Sequence, residues 1–306
     1  MRRRLLYNNN TYAGITINES LPGDIVLYDK TSKKLIIVPL PDFDTSKFTT
    51  TKFSGVGVVV TPLSHNLYND NSISAISLKP MNYNTPTTGG NSEQYMMWGT
   101  TTISGVPNSS SVNSYSDLNQ TKTSSITNVG YLPSDDFETI ENSVQNPNDK
   151  DTWFYYKSPY GGFIPSPYNE DDTINTKYRS RATSYFNGKD YTKTIVEYRG
   201  QKDYSTWKPS NVSDDYPAAS CCDMYYTDGT KQGDWYLPAM GELGYLLVKA
   251  KKINEAFEKL SSFGAIKCGY SYWSSVSPRG LSYNGGVGTH TITSSDRTVR
   301  AFLRIY

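Results

Sequence analysis

The chain has 306 residues, enough for about two domains of ~150 residues or one elaborated domain with a sizeable core. Thirty Lys and Arg stand against 29 Asp and Glu, so a net charge of +1 gives no global field toward nucleic acid or an anionic membrane. Two histidines argue against a multi-histidine metal centre, and an aromatic fraction of 13%, with 26 tyrosines, argues against disorder.

The chain opens on a basic tip, Arg2, Arg3 and Arg4, followed by only Leu5 and Leu6 before Tyr7 and a run of asparagines. A secretion signal needs ~7–15 apolar residues there. Residues 1–20 therefore read as a polar attachment arm on a chain made in a cytoplasm. No run approaches the ~18 apolar residues of a membrane span. Residues 24–28 and 35–38 are β-branched runs split by a polar stretch, which predicts a hairpin with a longer loop, ended by Pro39 and Pro41. Residues 55–60, Gly-Val-Gly-Val-Val-Val, lack alternation and predict a strand buried on both faces. Residues 74–78 predict a further strand.

From 81 to about 130, Thr, Ser, Asn and Gly dominate, the composition of long loops. Residues 134–140 can begin a short helix capped by Ser134, with Phe137 and Ile140 inward. Residues 151–216 concentrate aromatic rings. Trp153, Tyr155, Tyr156 and Tyr160 lie beside Pro159, Gly161 and Gly162, which suit a projecting loop. Rings with a flat apolar face and a polar edge suit carbohydrate or protein recognition, so these four are the candidate ligand-binding residues. The alternative is that the rings form the core of an inserted subdomain or a subunit interface.

The one strong helical signal begins at Pro238, a residue suited to a first turn. Leu243, Leu246, Leu247 and Ala250 recur at helical spacing, as do Ile253, Ala256, Phe257 and Leu260, with Gly264 as a cap. The two stripes form one helix or two. Residues 271–275, 289–292 and 299–305 read as strands, the last alternating apolar and polar as a half-buried strand does. Residues 285–288 read as a flexible glycine tip and lack the lysine and following helix of a phosphate loop.

Little of this points to catalysis. Cys221, Cys222 and Cys268 form no C-x-x-C pair; they are buried small residues, or Cys221 or Cys222 bridges to Cys268. His65 and His290 read as structural, and Asp171-Asp172 and Asp214-Asp215 as solvated turns. The expectation is a protein that is not an enzyme, with no metal and no cofactor.

Three patterns follow one another near the C-terminus: Trp235-Tyr236-Leu237-Pro238-Ala239-Met240-Gly241-Glu242-Leu243, then Tyr272-Trp273-Ser274-Ser275, then Arg300-Ala301-Phe302. In that order they resemble a C-type-lectin-like module common in surface proteins of gut Bacteroidales and in their phages. Residues 21–80 resemble the strands that open those modules. The resemblance implies an α+β, strand-rich fold: an arm at 1–20, a lectin-like core from 21–80 and 217–306, and a loop-rich, aromatic-rich insertion at 81–216. Trp235, Leu237, Pro238, Glu242 and Trp273 would mark that fold as architecture. The Glu-Pro-Asn or Gln-Pro-Asp and Trp-Asn-Asp motifs of calcium-dependent sugar binding are missing, and residues 145–149 read as a turn. Formylglycine-generating enzymes share a related fold but need a closely spaced cysteine pair, which this spacing does not offer.

Residues 55–65 and 91–99 resemble the head-fibre proteins of crAss-like phages. That resemblance implies a virion structural protein that decorates the capsid, a homo-oligomer and often a trimer. Arg2, Arg3, Arg4, Leu5, Leu6 and Tyr7 would attach it to the capsid or another virion protein. The body would bind glycan or host surface, with neither nucleic acid nor membrane as partner. A tail-tip receptor-binding protein and a bacterial surface adhesin remain the alternatives.

Overall fold

The computed structural model describes residues 7–8, 11–12, 14–96 apart from 66, 69 and 83, 155–157, 163–165, 186, 188–198, and 216–306 apart from 270, 276–278, 283–285 and 290–296. In chain order the strands are β1 (Tyr7–Asn8), β2 (Thr11–Tyr12), β3 (Ile25–Asp29), β4 (Lys34–Val38), β5 (Phe53–Thr61), β6 (Ile73–Ser77), β7 (Tyr155–Lys157) and β8 (Phe163–Pro165). Helices α1 (Gly188–Tyr198) and α2 (Pro217–Met224) follow, then β9 (Trp235–Tyr236), α3 (Met240–Val248) and α4 (Ala250–Lys259). The chain ends on β10 (Ser271–Trp273), β11 (Arg279–Ser282), β12 (Gly286–Thr289) and β13 (Phe302–Ile305). The fold is α+β, built on an antiparallel six-stranded sheet of order β4-β3-β5-β6-β13-β9.

The β-branched runs form that sheet for the reason their composition gives. Val56, Val58, Val59 and Val60 of β5 are fully buried, with α3 and α4 lying against the strand. Gly57 is required there, because a Cβ would stand 2.5 Å from the Ile76 carbonyl oxygen. The helical stripes form two helices that break at Lys249, whose N–H turns back to the Leu247 and Tyr245 carbonyls. Pro238 precedes α3 rather than entering its first turn; Ala239 is the N-cap residue. Gly264, at φ 75°, closes the turn that follows α4.

Several expectations need correction. The last strand is not half-buried: β13 lies inside the sheet, between β6 and β9, and Phe302, Leu303 and Arg304 are all buried. Of the glycine stretch at 285–288, Gly286, Gly288 and the valine between them pair with β11 as β12, and Gly285 lies outside the described residues. Of the strand expected over 289–292, Thr289 ends β12 and the rest lies outside the described residues. Helices α1 and α2 were not foreseen.

The ends of the supposed insertion pack into the common core. Met81, Met96, Phe186, Tyr191, Ile195 and Tyr216 share one apolar cluster with the sheet. Residues 97–154, which include the expected helix at 134–140 and the turn at 145–149, lie outside the described residues. The folded body also begins earlier than residue 21. Ile15 is buried and its N–H donates to the Ile37 carbonyl at 2.9 Å, so the arm joins the edge of β4.

Candidate functional site

The three C-terminal patterns meet in space. Trp235 and Tyr236 of β9 pair with Leu303 and Phe302 of β13, and the Ser275 N–H donates to the Pro238 carbonyl at 2.8 Å. Trp235, Leu237, Pro238, Glu242 and Trp273 are all buried. The Trp235 ring meets Tyr225 edge-on at 4.9 Å, and its Nε1 donates to Thr230 Oγ1 at 3.0 Å. Trp273 Nε1 donates to the Met96 carbonyl at 2.6 Å. Both indoles thus bury their area with the polar edge satisfied. These side chains hold elements together and present no surface to a ligand.

Two buried polar clusters adjoin this weld. At one, Glu242 Oε1 accepts the hydroxyls of Tyr236 at 2.7 Å and Tyr68 at 2.9 Å, while Oε2 accepts the Ala239 N–H at 2.7 Å. Burial, opposed by Arg304 and these three donors, pushes the Glu242 carboxyl up to about 7. At the other, the wholly buried Arg300 donates to the carbonyls of Ser77, Leu78, Ile266 and Lys267. Glu93 accepts the Gly269 N–H at 2.9 Å and the Tyr272 hydroxyl at 3.0 Å, and its Oε1 is 3.4 Å from Arg300. Sequence reasoning found none of Tyr68, Glu93, Arg300 or Arg304 as cluster members. Arg304 was legible only as a polar position of an alternating strand, and Arg300 as that and as the first residue of the third pattern.

The candidate recognition residues fall elsewhere. Tyr155 and Tyr156 lie on β7, in register with Pro165 and Ile164 of β8. Strand alternation puts residues 155 and 156 on opposite faces of that ladder. Strand β8 runs beside α3 and β12, so the aromatic hairpin and the glycine-rich strand are neighbours. Trp153 and Tyr160 lie outside the described residues, as do Arg2, Arg3, Arg4, Leu5 and Leu6. Tyr7 pairs with Tyr12 in the small β1–β2 hairpin.

The cysteine alternatives are resolved: Cys221, Cys222 and Cys268 are buried free thiols, so no bridge forms. Burial pushes the Cys268 thiol up to about 11 and raises Cys222 as well, which keeps both protonated and weakly nucleophilic. His65 sits on a short turn after β5, where its Nδ1 lies 2.6 Å from the Tyr245 hydroxyl. His290, Asp171, Asp172, Asp214 and Asp215 lie outside the described residues. Among the described residues no group of three or more His, Cys, Asp and Glu could hold a metal ion, and no helix is long and apolar enough to cross a membrane.

Comparison of the chain with family models, with curated proteins and with solved structures found no match in any of the three.

Proposed function

We propose that the chain is a recognition module with a C-type-lectin-like core, carried on a phage particle as a head fibre that decorates the capsid and adheres to glycan or host surface. The observation that carries the module reading is the weld of the three C-terminal patterns. Residues spread from 235 to 303 are bonded to one another, and Trp235, Leu237, Pro238, Glu242 and Trp273 are buried. A signature with that role belongs to a framework, which leaves recognition to what the framework displays. The displayed part lies within the stretch between β6 and β9, where the β7–β8 hairpin carries Tyr155 and Tyr156 beside α3 and β12. The phage location rests on the resemblance of residues 55–65 and 91–99. In this reading residues 1–13, ahead of the folded body, attach the fibre through Arg2, Arg3, Arg4, Leu5, Leu6 and Tyr7, and the fibre is a homo-oligomer, a trimer by resemblance.

Contact is by ring stacking and independent of calcium. The test is binding of the whole chain to a glycan array and to host cells, with and without EDTA, for the parent, Tyr155→Ala, Tyr156→Ala and Trp153→Ala. Loss of a hot-spot ring costs ~2 kcal/mol or more, about 30-fold in Kd. Because residues 155 and 156 occupy opposite faces, one of the two tyrosine variants shows that loss and the other stays near the parent. Binding abolished by EDTA, or unchanged in all three folded variants, refutes the ring-stacking site. Antibody labelling of particles, seen by electron microscopy, decides the location: label at the tail tip refutes the head-fibre reading.

A further inference from the structure

Glu242 is reached from four directions. It stands in the first turn of α3, and β9 supplies Tyr236. The connection between β5 and β6 supplies Tyr68, and α1 presses its first residue, Gly188, against Oε2 so closely that a Cβ there would collide with the carboxylate. Thr192 fastens the same helix next door, accepting the Leu237 N–H at 2.9 Å. From β13, Arg304 lays its guanidinium over the Tyr68 ring, 3.2 Å from the centroid. It donates to Asp70 at 2.8 Å, to Ser72 Oγ at 2.8 Å and to the Phe186 carbonyl at 3.3 Å, it also reaches the Tyr236 hydroxyl, and its charge favours the ionised form of Glu242.

The charge count of this cluster is uneven. Arg304 is matched by Asp70, so an ionised Glu242 is a second carboxylate on one guanidinium, and it is wholly buried. Of the other groups on the packed elements, His65 of the β5–β6 connection bonds Tyr245, one turn further along α3, so the Glu242→Gln variant is needed to separate its titration from that of Glu242. Tyr68 and Tyr236 are phenols whose ionisation burial disfavours. On α1, Lys189 turns to the Tyr306 ring at 5.1 Å, and Asp190 is exposed. The cluster is neutral only when Glu242 holds a proton. The Tyr68 hydroxyl, which Ser74 and Thr61 also reach, can accept the hydrogen bond of that proton.

We propose that Glu242 is a proton-operated latch: neutral, it lets the β5–β6 connection and α1 close on the start of α3; ionised, it places an uncompensated buried charge there and loosens both. The latch goes beyond the recognition reading and does not rest on it. Burial raises the Glu242 pKa from 4.5 to about 7 in the closed state, whereas an opened latch returns the group to water and to its ordinary value. Closure is therefore fully favoured below the ordinary value, and that advantage is lost as pH rises through about 7. Between roughly pH 5 and 7 the opening equilibrium changes by about tenfold per pH unit, with a ceiling of about 300-fold.

Hydrogen exchange of the full chain from pH 5 to 8, corrected for intrinsic rates, reads this out. The peptides spanning Tyr68 and α1 lose about 30- to 300-fold in protection as pH rises, while β4, on the far edge of the sheet, changes less than threefold. In Glu242→Gln, which cannot ionise, the two latch peptides show no such dependence. Flat protection in the parent, or an unchanged pH dependence in the folded Gln variant, overturns the proposal. If the variant does not fold, a carboxyl carbon titration of Glu242 in the parent decides: a midpoint near 7 supports the latch, and one at or below 4.5 overturns it.

Discussion

Replacing Arg300 by Met tests whether the buried arginine just ahead of β13 is structural. Arg300 is 0% exposed and gives Nη1 to the Ser77 and Leu78 carbonyls, each at 3.1 Å, and Nη2 to Ile266 at 2.6 Å and Lys267 at 2.9 Å. Met fits the stem but has no donor and loses the guanidinium that lies 5.4 Å from the Phe257 ring centroid. The Leu78 carbonyl retains the Ile266 N–H at 2.9 Å, so the loss falls on Ser77, Ile266 and Lys267. A buried carbonyl deprived of its donor costs ~1–3 kcal/mol, and breaking a buried ion pair at one end ~3–5 kcal/mol. Glu93 keeps Gly269 and Tyr272, which holds the total toward the middle of these ranges. The expected loss is about 4 kcal/mol. With a urea m-value of ~3 kcal/mol/M, it lowers the unfolding midpoint by about 1.3 M. Arg300→Lys keeps the charge and part of the donor set and falls between, near ~2 kcal/mol. A Met variant within about 1 kcal/mol of the parent, at unchanged m-value, would show that the four carbonyls are solvated and that the reasoning fails.

Trp235→Ala costs ~3–5 kcal/mol in thermal or chemical melts, the range for large core truncations, whereas Trp235→Phe costs ~1–2 kcal/mol because Thr230 Oγ1 still accepts the Thr227 N–H at 2.8 Å. An Ala variant that melts within a degree or two of the parent would place Trp235 at the surface. Deleting residues 1–13 leaves the melting midpoint within about 2 °C of the parent, while deleting 1–20 costs ~2–4 kcal/mol by removing Ile15 and its bond to Ile37. Equal midpoints for the two deletions would return Ile15 to the arm.

What was legible in the sequence was local. The runs at 24–28, 35–38 and 55–60 specify their strands because adjacent β-branched residues suit an extended backbone. The leucine stripes from 243 to 260 specify α3 and α4 through their spacing. Helix α2 escaped for the opposite reason: Pro-Ala-Ala-Ser-Cys-Cys-Asp-Met is buried on every side and shows no stripe. Alternation in the last strand was real, but it does not say what lies opposite the polar positions. Tyr68 meets Glu242 across 174 positions and Glu93 approaches Arg300 across 207. No short window of sequence contains both partners of either pair. Glu242 was read as a framework residue through its motif, while its buried partners had no signal of their own.

The two clusters explain how one short strand governs the stretch between β6 and β9. Just ahead of β13, Arg300 binds the chain where it leaves β6, through Ser77, Leu78 and Glu93. Four residues on, Arg304 binds the Phe186 carbonyl where the chain returns toward α1. The departing and returning roots are therefore both fixed to the same end of the chain by buried guanidinium groups. Arginine suits that task because its fork of donors reaches several carbonyls at once and stays charged when buried. The consequence is a division of labour along the chain. The buried residues of the three C-terminal patterns join β9, α3 and β13, and the two arginines fix both roots of the stretch between β6 and β9. The chain just past the departing root belongs to the framework itself, since Met81 and Met96 share its apolar cluster and Glu93 meets Arg300.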